Sequence, residues 1–140
     1  MANELDALTV RRFYEEVLNK RDLAVADEIF AADFIHHGLP PDSPKGVEGF
    51  KRHLAFVHGV FPDGQVTIDD MVVGDGKVVI RLTARGTQNG PFLGFPATGK
   101  QATWTGIDIM YMSQGKISEC WSERDVFGML LQLGLISPPG

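Results

Sequence analysis

The chain has 140 residues, of which 44% are hydrophobic and 22% charged, and thirteen basic against eighteen acidic side chains leave a net charge of −5. This length and composition are typical of one globular domain that buries a core without disulfides or metals, so we expect residues 1–140 to form a single domain. The acidic balance, without any Lys/Arg cluster, disfavours nucleic acids and anionic membranes as partners.

Helical periodicity dominates the start of the chain. Apolar residues at helical spacing from Val10 to Leu18 predict an opening amphipathic helix that ends near residues 19–21. Asp22 is a good N-cap for a short second helix, whose apolar side includes Phe30. Both helices would turn their apolar faces toward a common core.

The next segment changes type twice. Residues 33–37 have the character of a short strand, and Gly38 with the Pro40-Pro41 pair then predicts an irregular loop. Residues 46–61 return to helical spacing and predict a third helix, which the sequence Pro-Asp-Gly stops. The first half of the chain is therefore mainly helical.

From here the period changes to two, as in strands. Four stretches predict strands, at 66–73, 77–87, 102–112 and 117–123. Residues 89–99 join the middle pair, and their glycines, prolines and exposed apolar side chains indicate a lid or an oligomer contact. Asp125 can cap a final helix, which Gly134 would close.

This order of elements predicts an α+β fold. About three N-terminal helices and a C-terminal helix would pack on one face of a curved antiparallel sheet of about four long strands. A sheet that curls around helices leaves a cone, and the mouth of the cone is a natural place for a small ligand.

Asp108 is the most informative polar residue, because it lies between two isoleucines in an apolar strand. A carboxylate there is either solvated or inside a pocket, where unpaired burial would raise its pKa. A three-residue turn after this strand would place Ser122 opposite Asp108, and a two-residue turn would place Trp121 there instead. The sequence leaves both registers open. Strand alternation adds Trp104 and Met110 to the same face.

Several stretches resemble one known family, the SnoaL-like polyketide cyclases (ester cyclases). They are FYEEVLNKRDLAVADEIFAADFIHH, PFLGFPATGK, GIDIMYM and GKISECWSERDVFGMLLQLG. The resemblance implies the nuclear-transport-factor-2-like (cystatin-like) cone. It also implies an intramolecular aldol ring closure that uses an acidic residue as base, needs no cofactor, and is often carried out by oligomers.

The family's catalytic positions differ in this chain. Anchoring on the sequence Gly-Lys-Ile at 115–117 and on Asp125, the resemblance places the family's catalytic aspartate at Ser122 and its histidine partner at Asp108. A serine without an adjacent base cannot remove a proton unaided. Either Asp108 takes over the role from the facing strand, or the chain does different chemistry, or none.

The candidate catalytic residues are therefore Asp108, Ser122 and His36. The candidate pocket-lining residues are Tyr14, Phe34, His37, Phe56, Trp104, Met110, Trp121 and Asp125. Each has an ordinary alternative: Asp108 solvated or paired with Arg124 or Arg81, Asp125 an N-cap, and the aromatic residues core.

Metal and disulfide chemistry are not expected. Cys120 is the only cysteine, which excludes an internal disulfide, and it is best read as a small buried hydrophobe. His53 and His58 lie five residues apart on a helix and cannot share a face well, and no other ligand stands at suitable spacing. No apolar run has the form of a signal peptide or membrane span, so a cytoplasmic location is expected.

Two functional hypotheses follow. In the first, the cone holds a small apolar or polyketide-like carbonyl compound, and Asp108 removes a proton beside the carbonyl. The oxyanion would be stabilised by His36 or His37, by Ser122 and by Tyr14 as a further candidate. In the second, the same cone binds an apolar molecule without turning it over, because Ser122 replaces the family's acid. In either case we expect a homodimer, or a higher homo-oligomer, through the outer face of the sheet.

Overall fold

The computed structural model describes residues 2–39 and 41–139. Four α-helices are present in the described part, α1 (Ala2–Arg12), α2 (Ala26–Ile29), α3 (Gly46–Val60) and α4 (Val126–Gln132). Five strands are β1 (Phe30–His36), β2 (Gln65–Gly74), β3 (Lys77–Thr87), β4 (Gln101–Ser113) and β5 (Lys116–Arg124).

The five strands form one sheet in the order β1-β5-β4-β3-β2. The four long strands pair antiparallel, as expected from their alternation. The predicted short strand begins three residues early, at Phe30, and pairs parallel with β5 at the edge of the sheet. No tight turn joins β1 to β5, so their relative direction is set by packing rather than by a hairpin.

The N-terminal helices are less regular than their periodicity suggested. The first helix ends at Asn19 as predicted, but its last two turns, Phe13–Asn19, are π-helical. Asp22 precedes a short 3₁₀ turn at Leu23–Val25, and its side chain makes no capping hydrogen bond. Phe30, expected on the second helix, instead starts β1 because α2 ends at Ile29.

The core lies between the helices and the concave face of the sheet. Along β4 every second residue from Ala102 to Met110 faces inward, and Ile107 on the other face is half exposed. From the first helix, Val10 and Val17 are fully buried against this face. Burying each large apolar side chain stabilises the fold by about 1.5–3 kcal/mol, which holds the helices on the sheet.

The β4–β5 hairpin combines both registers left open by the sequence. Its turn has two residues, Gln114 and Gly115, with φ of 52° and 77°. Ser118 is an extra residue in β5, a β-bulge, and it shifts the pairing by one position. Ser122 therefore faces Asp108 despite the short turn.

The side chain of Gln88, which is fully buried, holds the two ends of the connection at residues 89–99 together. The Gln88 Oε1 atom accepts hydrogen bonds from the Thr98 hydroxyl (2.8 Å) and amide (3.2 Å), and its Nε2 donates to the carbonyls of Gly90 and Pro96. At the tip, Phe92 pairs with Phe95 through two backbone hydrogen bonds. The loop is thus a folded unit.

Across residues 2–39 and 41–139, no helix is both long and apolar enough to cross a membrane.

Candidate functional site

A cavity of about 400 Å³ opens between α3 and the concave face of the sheet. Most of its wall is apolar, supplied by Phe13, Leu18, Leu39, Phe50, Leu54, Val57, Val60, Phe61, Val66, Ala84, Phe92, Trp104, Val126 and Met129. The polar lining side chains include Asp108, Ser122 and Arg124 on neighbouring strands, and His36 and His53. An apolar pocket with a few convergent polar groups is the usual form of a small-molecule site.

Asp108 is held by four hydrogen bonds. It is only 1% exposed, and its Oδ1 accepts from the Ser122 hydroxyl (2.6 Å) and from Arg124 Nη1 (2.6 Å). Its Oδ2 accepts from the Tyr14 hydroxyl and from Arg124 Nη2 (3.1 Å). Two carboxylate oxygens offer about four lone-pair positions, so this carboxylate is saturated.

These contacts decide the protonation states of the cluster. Burial opposes ionisation of Asp108, but the hydrogen bonds and charge of Arg124, with the bonds from Ser122 and Tyr14, outweigh it and lower the Asp108 pKa. Burial and the Asp108 charge together raise the Tyr14 pKa well above its ordinary value. Burial would lower the Arg124 pKa, but Asp108 raises it. The cluster is therefore an ion pair with two neutral hydroxyls.

Gly106 makes room for the arginine. It pairs with Arg124 across the β4–β5 ladder, and a Cβ atom at position 106 would lie 2.6 Å from Arg124 Cδ and 2.7 Å from the Glu123 carbonyl. The Arg124 side chain therefore lies over the glycine and reaches Asp108, two residues further along β4. In the described part of the chain, Arg124 Nε–H and one Nη2–H have no acceptor.

His36 is a neutral hydrogen-bond donor. Its Nδ1 accepts from the Gly38 amide at 2.9 Å, so the ring proton lies on Nε2. Burial lowers the His36 pKa to about 4, against an opposing effect of the Asp108 charge. At neutral pH this imidazole can donate to an oxygen but does not carry a positive charge.

His53 lies across the cavity on α3. It follows Phe50 by one helical turn, and the two rings are nearly parallel at 6.5 Å between centroids. Burial lowers its pKa, so the ring is neutral at neutral pH. Within residues 2–39 and 41–139, no hydrogen bond to the His53 ring is present.

The structure separates the predicted pocket residues into three groups. Trp104 lines the cavity with the candidate catalytic residues Asp108, Ser122 and His36. Tyr14, Phe34 and Met110 are buried behind the wall, and only Tyr14 contacts the polar cluster. Phe56 belongs to none of the three groups, since it is 51% exposed and lies near Phe92.

The third group lies outside the cone. His37 stacks on Trp121 at 4.0 Å between ring centroids and contacts Glu119 at 2.9 Å. His37, Trp121 and Asp125 line a second hollow, of about 440 Å³, at the outer face of β4 and β5. Asp125 itself caps α4, since its side chain accepts from the Gly128 amide at 2.9 Å.

Two site residues were missed by sequence reasoning, although the signals existed. Arg124 was considered only as an alternative partner of Asp108, yet it follows Ser122 by two residues and must share its face. His53 was judged only against His58, but it stands three residues after Phe50 and four before Val57, both of which face inward.

Within the described residues, no three His, Cys, Asp or Glu side chains cluster closely enough to hold a metal ion.

Comparison with known proteins gives a consistent picture. Residues 8–133 match a family model described as SnoaL-like polyketide cyclase. TsrD from Streptomyces laurentii is 29% identical, with a TM-score of 0.87 over 95% of this chain and 97% of TsrD. IdmH from Streptomyces antibioticus, assigned as a polyketide cyclase, is 32% identical, with a TM-score of 0.81 over 92% of this chain and 98% of IdmH. A search of curated proteins found no match.

Proposed function

Because the chain belongs to the SnoaL-like polyketide cyclase family, we propose that it is a cofactor-independent enzyme acting on a compact apolar carbonyl compound. The family and the α+β fold expected from the sequence are both confirmed. The proposed chemistry is proton removal beside the carbonyl, followed by ring closure, isomerisation or a related step.

The single observation that carries the proposal is the division of the cavity into a polar wall and an apolar remainder. Arg124 and His36 bring N–H donors to one side of a mainly apolar space. The Ser122 hydroxyl beside them already donates to Asp108. A carbonyl oxygen placed there would meet the unused N–H groups of Arg124 and the Nε2–H of His36. Donors already in place stabilise an oxyanion far better in a dry cavity than in water.

Asp108 has a defined part in this proposal. Its charge neutralises Arg124, fixes the guanidinium plane, and orients the hydroxyls of Ser122 and Tyr14. As a base it would have to release one of its four hydrogen bonds first, and its lowered pKa makes it a weak proton acceptor. We therefore assign Asp108 to the oxyanion-binding wall.

The experiment uses 2-tetralone, a bicyclic ketone with acidic protons beside its carbonyl, as the probe. In D₂O, proton NMR should show exchange of these protons faster with the protein than with buffer or with heat-denatured protein. Arg124→Gln should slow the exchange, because one uncharged amide replaces the planar charged donor. Exchange at the buffer rate in the native protein would contradict the proposed chemistry.

A second function has its own support. Saturation of Asp108 and the serine at the position of the family's acid favour a cavity that binds an apolar molecule without turning it over. The same NMR samples distinguish the two functions. Binding of 2-tetralone, seen as shifts of the His36 and His53 ring signals, without proton exchange would establish the binding function.

Two further expectations remain proposals. A homodimer through the outer face of the sheet is supported by half-exposed Ile107 and Trp121 beside the outer hollow. A light-scattering mass equal to one chain at micromolar concentration would contradict it. A cytoplasmic location would be tested by cell fractionation.

A further inference from the structure

We infer that His53 is the base that removes the substrate proton in this cavity, an inference that rests on the proposed function. The family resemblance directs attention to β4 and β5, where Asp108 and Ser122 lie. The geometry points instead to the facing helix, α3.

The other ionisable groups of the cavity are occupied or protonated. Asp108 has both oxygens filled by four hydrogen bonds. The free lone pair of His36 is taken by the Gly38 amide, so its cavity nitrogen carries a proton. Cys120 is buried at 3% exposure, and burial keeps its thiol protonated by raising its pKa.

His53 is the neutral nitrogen base of the cavity that has no protein partner among residues 2–39 and 41–139. His53 is partly buried and lines the cavity, so its ring is shielded from much of the bulk water yet can meet a bound molecule. A neutral imidazole always has one nitrogen with an available lone pair. Such a group can accept a proton without first breaking a protein contact.

The two histidines are placed to contact different atoms of one substrate. The ring of Phe50 is close to both, 4.8 Å from His36 and 6.5 Å from His53 between centroids. A planar substrate lying along Phe50 would place its carbonyl oxygen at His36 and Arg124. Its neighbouring carbon would then lie toward His53.

The cavity side chains supply every proton acceptor and donor that the proposed step needs. The His53 nitrogen forms an N–H bond as the carbon–hydrogen bond beside the carbonyl breaks. The electron pair moves to form a carbon–carbon double bond, and the carbonyl oxygen becomes an oxyanion held by Arg124 and His36. In the D₂O assay the imidazolium proton exchanges with solvent, and the ring returns a deuteron to the same carbon. In isomerisation the ring gives the proton to another carbon, and in ring closure it gives the proton to the new alkoxide after the enolate carbon attacks a second carbonyl.

The surrounding charges define the pH dependence. The ionisable groups that line the same cavity are His36 on β1, the Asp108–Arg124 ion pair, and Cys120 and Glu123 on β5. The ion pair adds little net charge, and His36 is neutral. The exchange rate should therefore fall as the pH drops through the His53 pKa, because the protonated ring can no longer accept a proton.

The test compares His53→Gln with His58→Gln. Both change a histidine on α3, but His58 does not line the cavity. His53→Gln should slow the exchange of 2-tetralone protons at least about a hundredfold and abolish its pH dependence, since general base catalysis supplies about 10²–10⁴. His58→Gln should exchange at the wild-type rate. Binding of 2-naphthol, a stable enol of similar shape, should persist in both variants.

The outcomes separate the base from the proposed function. Exchange by His53→Gln within about twofold of wild type, with 2-naphthol bound, would overturn the role of His53 while leaving the function standing. If the wild-type protein shows no exchange, both the proposed function and the role of His53 are contradicted. If His53→Gln loses binding as well, His53→Ala with added free imidazole decides, because restored exchange supports a catalytic base and no restoration overturns it.

Discussion

The polar groups on the two walls of the cavity differ in whether they have hydrogen-bond partners. On the β4–β5 wall, Asp108, Ser122 and Arg124 are hydrogen-bonded to one another, and Tyr14 donates to Asp108 from behind. On the α3 wall, His53 faces the same space without a partner in the described chain. The strand wall is therefore a fixed electrostatic surface, and the helix wall holds a group that is free to react.

The difference shows why an unusual residue in a strand is an uncertain guide to catalysis. A buried carboxylate is expensive unless it is paired, so the fold surrounds Asp108 with donors and lowers its pKa. A buried imidazole avoids this cost by becoming neutral. The group that is least conspicuous in the sequence can thus be the better base.

The largest effect should come from breaking the strand wall with Arg124→Leu. Removing one partner of a buried ion pair leaves the other charge buried and unpaired. We therefore expect a loss of about 3–5 kcal/mol in the free energy of unfolding, measured with urea. The double variant Asp108→Leu with Arg124→Leu should lose much less, because no charge is left buried. Equal losses from the single and double variants would show that the pair is not coupled.

A smaller effect is expected from Gly106→Ala, which removes no polar side chain. The added methyl would overlap Arg124 Cδ and the Glu123 carbonyl, and overpacking of this kind costs about 1–3 kcal/mol. Arg124 should also be displaced from Asp108, so exchange of 2-tetralone protons should slow.

The matched control for that variant is Gly59→Ala in α3. A Cβ at position 59 meets nothing within 4 Å, and alanine is the better helix former, so stability should stay level or rise by up to about 1 kcal/mol. If both glycine variants behaved alike, the contact between Gly106 and Arg124 would not be what positions the guanidinium.

The smallest effect is a pH dependence that isolates His36. Its folded-state pKa is about 4 against an ordinary value of 6.5, so the unfolded chain takes up the proton first as the pH falls. Stability should be complete above that ordinary value and decline below it, by about 1–2 kcal/mol between pH 7 and pH 5. In urea titrations, the free energy of unfolding of His36→Gln should decline less than that of wild type, by that same amount. Parallel curves for the two proteins would mean that His36 is solvated.

Local sequence patterns were enough to predict much of the secondary structure. Alternation gave the four long strands and the inward face of β4, and helical spacing gave α3 and the end of the first helix. The family was also identifiable, and residues 8–133 bear it out. The boundary at Phe30 was misplaced because an apolar residue suits either a helix face or a strand.

The register of the β4–β5 hairpin could not be predicted from local sequence patterns. Two-residue turns are recognisable from sequence, and the turn at Gln114–Gly115 has that form. The bulge at Ser118, which restores Ser122 to the position opposite Asp108, is stabilised by a hydrogen bond from its hydroxyl to the Tyr111 carbonyl at 3.0 Å. A single extra residue of this kind leaves no clear mark on the alternation.

By itself the sequence determined the elements, the fold and the presence of a carboxylate in an apolar strand, because propensity and periodicity act between near neighbours. The tertiary structure decided that Arg124 lies over Gly106 to pair with Asp108, and that His53 on α3 meets the same cavity unpaired. These contacts join residues far apart in the chain, so they depend on how the helices pack on the sheet rather than on any local pattern.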